Sequence, residues 1–178
     1  MQELITIVDE TDTPIGVKPR EELTPSDIYR VSSLWVFNSA GEYLLAQRSA
    51  NRKQHPLAWQ SSAAGTVEEG ESYQDNILKE AQQEIGAIIS PDNLIPLPKQ
   101  LVKENYAYYV QRYLTRLDKK LEEFTIQEEE IQALQWIAAT EIWRIIREDP
   151  NYFVKPFREV FGQVDQLVQS LLNEQASE

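Results

Sequence analysis

Leu4 to Val8 alternates weakly between faces and is rich in β-branched residues. A turn-like run from Asp9 to Pro14 then leads into the short apolar Ile15-Gly16-Val17, which predicts two short strands or a hairpin. Leu23 to Arg30 reads as a connector, with Pro25 breaking any long element. Val31 to Phe37 is aromatic and β-branched, as a buried strand would be. Asn38-Ser39-Ala40-Gly41 turns the chain, and Tyr43 to Gln47 returns as the hairpin partner. The polar, basic Ser49 to Pro56 is a loop, and Trp59 to Ala64 a short strand ending at Gly65.

The period then changes. From about Tyr73 to Ile85 apolar residues recur at helical spacing; Ser72 followed by Asp75 makes a variant capping box, and Gly86 supplies the stop. Asn93 to Pro98 is a proline-punctuated loop, Leu101 to Leu117 one or two strands, and Ile131 to Ile137 a further strand. Two helices are predicted after it, Ala139 to Glu148 (capped at Thr140 or nearby) and Lys155 to Leu172. In the second, Phe157, Val160, Phe161, Val164, Leu167, Val168 and Leu171 form an apolar stripe. That stripe packs on the chain's own core or docks on a second subunit, which leaves a homodimer open. Asn173 to Glu178 should fray. Strands interspersed with helices, without regular alternation, predict an α+β sandwich.

Length and composition narrow this. The 178 residues suit one domain, 1–178, with the helix at about 155–172 at its C-terminal end. No run approaches the roughly 18 apolar residues of a membrane span. Met1 to Glu10 lacks a basic region followed by an apolar stretch, so a cytoplasmic protein without a membrane partner is expected. There is no cysteine, which excludes disulfides and thiolate chemistry. A single histidine argues against zinc, and the abundant carboxylates point to magnesium or manganese. The net charge of −12 argues against a broad nucleic-acid surface. It is compatible with a phosphorylated small substrate, because a divalent ion bridges carboxylates to phosphates.

The predicted helix carries the chemistry. At about 100° per residue, Ile77, Leu78, Ala81 and Ile85 form its buried stripe, with Glu80 and Glu84 along one edge and Gln83 beside them. Two carboxylates four apart repel, by a few tenths of a kcal/mol in an isolated helix, and a bound cation turns that repulsion into attraction. Ahead of the helix, Gly65 and Gly70 permit a tight loop from which Glu71 can fold back towards it.

The full spacing resembles the Nudix box: a glycine, five residues, a glutamate, seven residues, then Lys79-Glu80-Ala81-Gln82-Gln83-Glu84-Ile85-Gly86-Ala87. Gly65, Glu71, Glu80, Glu84 and Gly86 match the family pattern. Lys79 replaces an arginine, Ala81 and Ala87 are smaller than usual, and Gln83 stands where the family has a glutamate. Val8-Asp9-Glu10, Ile15-Gly16, Arg20, Leu44 to Ser49, Lys53 to Pro56, Trp59, Ser62, Glu130-Ile131 and Trp136 look like the subgroup related to isopentenyl-diphosphate isomerase, over roughly Ile5 to Ile142.

The resemblance implies a mixed sheet between helices (α/β/α) with the box as a loop–helix–loop. It implies a Mg2+ or Mn2+ site formed by Glu80, Glu84, the Gly65 carbonyl and Gln83 through its neutral amide. Glu71 and Lys79 would brace the loop by an ion pair, Gly86 would end the helix, and Arg48 and Lys53 would hold substrate phosphates. The catalytic set would be Glu80, Glu84 and a base from a later loop. Glu104, Glu128, Glu129 and Glu130 are candidates for that base, and Glu130 has the best positional match. His55 is isolated and suits a structural role, Arg52 could also meet phosphate, and Trp59, Tyr106 and Tyr108 suit core packing or stacking on a substrate.

Three functions follow. The first is hydrolysis of a diphosphate linkage in a nucleoside diphosphate derivative or related small molecule. The second, isoprenoid diphosphate isomerisation, is disfavoured: that family uses a cysteine and a histidine-rich metal site, and Tyr106 stands where its second glutamate would follow Glu104-Asn105. The third is a catalytically weak or inactive Nudix-fold nucleotide-binding or regulatory module, for which Gln83 is the motive.

Overall fold

A computed structural model describes residues 2–175. β1 (Leu4–Val8) and β2 (Pro14–Pro19) form the expected antiparallel hairpin. At its tip Asp12 adopts a left-handed conformation (φ 63°) while its carboxylate receives Arg30, Tyr73 and Lys99.

β3 (Ile28–Phe37) begins three residues ahead of the predicted Val31. Pro25 confines its effect to a turn closed by Asp27, whose carboxylate accepts from the Thr24 amide and hydroxyl. Immediately after it, Ile28 to Arg30 is drawn into the sheet by pairing with Ala107 to Tyr109. β3 is the spine. One edge runs parallel to β9 (Ala107–Arg116) along its whole length. The other edge meets in turn Val8 of β1, then β6 (Ala63–Thr66) and β4 (Glu42–Arg48), all antiparallel. β10 (Ile131–Ala138) lies against β4. The sheet is therefore mixed.

Trp59 to Ala64 is two strands rather than one. β5 (Trp59–Gln60) pairs with β4, and β6 pairs with β3. The chain crosses at Ser62, whose hydroxyl donates to the Leu44 carbonyl and accepts from the Val36 amide, so a buried serine replaces ladder bonds at the crossing. The predicted loop Asn93 to Pro98 contains β7 (Ile95–Pro96), and Leu101 to Leu117 resolves into β8 (Gln100–Lys103) and β9. Both short strands pair antiparallel with β9.

α1 (Tyr73–Ile85) carries the capping box read from Ser72 and Asp75, and Gly86 ends it in the left-handed conformation (φ 65°) that glycine adopts without a Cβ penalty. α2 (Ala139–Glu148) follows β10 without a loop. Its cap position is Ala138 rather than Thr140, and no side chain caps it. α3 spans Lys155–Gln175, so Asn173 to Gln175 continue the helix, while the rest of the segment expected to fray lies outside the described residues.

Strand alternation divides the core. Leu34, Val36 and Leu44 face α1, meeting Ile77, Ala81 and Ile85; Trp35, Phe37, Tyr43 and Leu45 face α2 and α3, meeting Ile142, Phe157 and Phe161. This is the α+β sandwich of a mixed sheet between helices. The apolar stripe of α3 is covered by the chain's own sheet, with Phe161, Val164 and Val168 fully buried. Among the described residues no helix is long and apolar enough to cross a membrane.

Candidate active site

The segment between β6 and α1 is strapped to the helix that follows it. Lys79 reaches back to both Glu71 and Glu68, each at 2.7 Å, so the predicted Lys79–Glu71 pair is one prong of a fork. Burial alone would raise the Glu71 carboxyl. Hydrogen bonds from Lys79, the Glu68 amide and the Asn76 side chain outweigh it and hold that group below its usual range. Asn76, fully buried on α1, is a second strap. It donates to the Thr66 carbonyl at 3.1 Å and to Glu71 at 3.0 Å, and accepts from Ser32 on β3. In the sequence Asn76 carries one signal of this role, an amide placed beside the apolar stripe.

These straps set Glu80 and Glu84 beneath β6. Glu84 is buried, and one carboxylate oxygen accepts from the Ala64 amide at 3.1 Å. Burial, reinforced by repulsion from Glu80, pushes its carboxyl up to about 8. Burial likewise pushes Glu80 up to about 7. Gly65 lies directly over Glu80: a Cβ there would sit 2.2 Å from a carboxylate oxygen. Among the described residues neither acid has an ion-pair partner. One buried and one half-buried acid with raised affinity for protons and no counter-cation fit a divalent ion, whose charge would replace the protons. Among the described residues no three Asp, Glu, His or Cys side chains converge, so the acids' share of such a site is this pair. Gln83 is exposed.

A cleft of about 530 Å³ opens beside Gly65. Arg48 and Arg52 line it. Arg48 donates to the Gln54 carbonyl at 3.0 Å and the Gln60 side chain at 2.8 Å, and Arg52 is ion-paired with Glu130. The Glu130 carbonyl also accepts from the Ser49 amide, which ties the β10 entry to this loop. Lys53 is exposed and does not line the cleft, whereas His55, on the same loop, does. Glu104 stands at the cleft paired with Lys155 at 2.5 Å, while Glu128 and Glu129 are exposed. Tyr106 and Tyr108 line the cleft rather than the core. Trp59 is buried and stacks on Tyr152, with centroids 6.1 Å apart. Arg20 and Arg112 also line it, and neither was given a role from the sequence.

A loop braced onto an amphipathic helix, holding paired acids against Ala64 and Gly65 where these line a cleft on a mixed sheet, defines the class of this protein. The NUDIX domain matches residues 28–156, and the chain belongs to that family. It is 39% identical over 85 residues to an uncharacterized Nudix hydrolase of Pseudomonas aeruginosa, covering 47% of this chain and 50% of that protein. It is 26% identical over 184 residues to an isopentenyl-diphosphate Delta-isomerase of Salmonella heidelberg, covering 97% of each. The matched region spans about half the length of the first curated relatives. Among solved structures, a Deinococcus radiodurans protein shares the fold with TM-score 0.68 at 23% identity, over 83% of this chain and 90% of that one. The NUDIX domain of Shewanella oneidensis NrtR complexed with ADP ribose shares it with TM-score 0.54 at 13% identity, over 65% and 75%.

Proposed function

We propose that this chain is a Mg2+-dependent Nudix hydrolase that cleaves a diphosphate linkage in a nucleoside diphosphate derivative or related small molecule. The observation that carries the proposal is the pair of half-buried Glu80 under Gly65 and buried Glu84 against Ala64, neither with an ion-pair partner among the described residues. When bound, Mg2+ (or Mn2+) supplies charge neutralisation at the phosphoryl oxygens and a more acidic water. Glu80 and Glu84 hold that ion, with the Gly65 carbonyl beside them. Glu71, Lys79 and Gly86 keep the loop and helix in register. Arg48 takes substrate phosphate in its fork, and Lys53 adds charge from the exposed loop. Glu130, positioned by Arg52, accepts the proton of the attacking water. Water oxygen bonds to one phosphorus, the bond from that phosphorus to the bridging oxygen breaks, and the bridging oxygen leaves on the second phosphate.

Isomerisation, the activity in the name of the Salmonella relative, is not proposed, because the chain contains no cysteine and one histidine. The test is phosphate or pyrophosphate release from nucleoside di- and triphosphates, dinucleotides, sugar nucleotides and dimethylallyl diphosphate, with Mg2+ and with Mn2+. Turnover that depends on the metal and falls by roughly 10²-fold or more in Glu84→Gln is expected. Saturable ligand binding without turnover on any compound would sink the hydrolase and leave a binding module.

A further inference from the structure

The deep wall of the cleft holds a charge that the proposed chemistry does not use. Arg112 is 6% exposed, yet among the described residues its guanidinium has one polar partner, the neutral Gln100 side chain at 2.6 Å, and no carboxylate. Burial lowers its proton affinity, opposed only by the more distant fields of Tyr108 and Glu159, and Glu159 is paired with Lys155. Two residues further along the neighbouring strand, Trp35 lines the same cleft. A guanidinium set this deep without an acid is costly, and an anion entering the cleft relieves it.

Register locates this wall relative to the paired acids. Ala64, Ser33 and Arg112 stand in one row across β6, β3 and β9. The Ala64 amide holds Glu84, so two strand spacings, roughly 10 Å, separate that backbone from the backbone of Arg112. Ser33 lies between them, and Val31 and Val110, one row away on the same face, also line the cleft.

We infer that Arg112 forms a second anion subsite, which selects diphosphates carrying a further, separate phosphate monoester or carboxylate. The inference rests on the cleft being the substrate cleft of the proposed hydrolase, but the subsite itself is readable without turnover. The ligand would place its diphosphate at Gly65, where the cleft comes nearest the paired acids, and run along the cleft face of β3 and β9 to end on Arg112.

The test is calorimetric titration of the full chain in EDTA with inorganic phosphate and, separately, with acetate. Saturation at one site per chain is expected with at least one of them; phosphate alone would mark the selected group as a phosphate monoester, acetate alone as a carboxylate. Arg112→Gln should weaken that binding by roughly tenfold or more, and Arg112→Lys, which keeps charge but not the fork, by less. The Tm of ligand-free Arg112→Gln should equal or exceed that of the wild type, since an uncompensated charge has been removed. Wild-type protein that saturates with neither anion, or Arg112→Gln that binds as wild type, overturns the subsite. An Arg112→Gln chain that unfolds overturns it too, because the charge would then serve the fold. Metal is absent throughout, so failure here leaves metal-dependent turnover standing, and failure of turnover leaves this titration standing.

Discussion

At Gly65 the absence of a single carbon lets β6 lie over a carboxylate. The three atoms nearest to where a Cβ would sit all belong to the Glu80 side chain, the nearest at 2.2 Å, so Gly65→Ala pushes that side chain aside. The expected result is a Tm close to wild type, with Mg2+ affinity weakened and turnover down by about 10²-fold, a cost typical of displacing one reacting group by about 1 Å. Calorimetry with Mg2+ and steady-state rates check it. Glu80 and Glu84 also make stability depend on pH. Burial raises them to about 7 and about 8 from an ordinary value of 4.5, so from pH 4.5 to about 8 the folded chain holds more protons than the unfolded one. The pair's contribution is therefore fully present below about pH 4.5 and is lost as pH rises towards 8. Denaturant melts in EDTA from pH 5 to 8 should show metal-free stability falling, a shallower fall in Glu84→Gln, and a reversal under saturating Mg2+, which binds only the ionised pair.

Among the elements, α1 was the most legible, because its signals are local. The capping box, the left-handed stop and the apolar stripe each involve residues within four positions of one another, and all three are present. Ser72→Ala removes the side-chain bond to the Asp75 amide and should cost about 1 kcal/mol in chemical denaturation, with turnover near wild type while the chain stays folded. Elements whose limits depend on a distant partner were read less well. β3 starts early because β9 pairs with it, Trp59 to Ala64 divides because its halves serve β4 and β3, and α2 needs no Thr140 cap because β10 feeds it directly.

Across the whole molecule, the sheet separates two cores, and α3 covers the face opposite α1. Phe161 is its keystone: fully buried, it packs against Trp35, Tyr43, Trp143 and Phe157. Phe161→Ala should cost about 3–5 kcal/mol in equilibrium unfolding. Because Phe157 and Trp35 also line the cleft, that loss would loosen the cleft wall as well as the core.

The sequence by itself determined the fold family, the helix that bears the acids and the identity of Glu71, Lys79, Glu80 and Glu84. Each of these depends on spacing within a short stretch, where covalent geometry dictates who can meet whom. Only the tertiary structure decided that Glu84 is buried against Ala64, that Lys79 grips Glu68 as well as Glu71, that Lys53 stays outside the cleft, and that Arg112 lies on its wall bonded to neutral Gln100. Burial and counter-charge are properties of the packed neighbourhood. Residues far apart in the chain supply them, and no local pattern encodes which residues those will be.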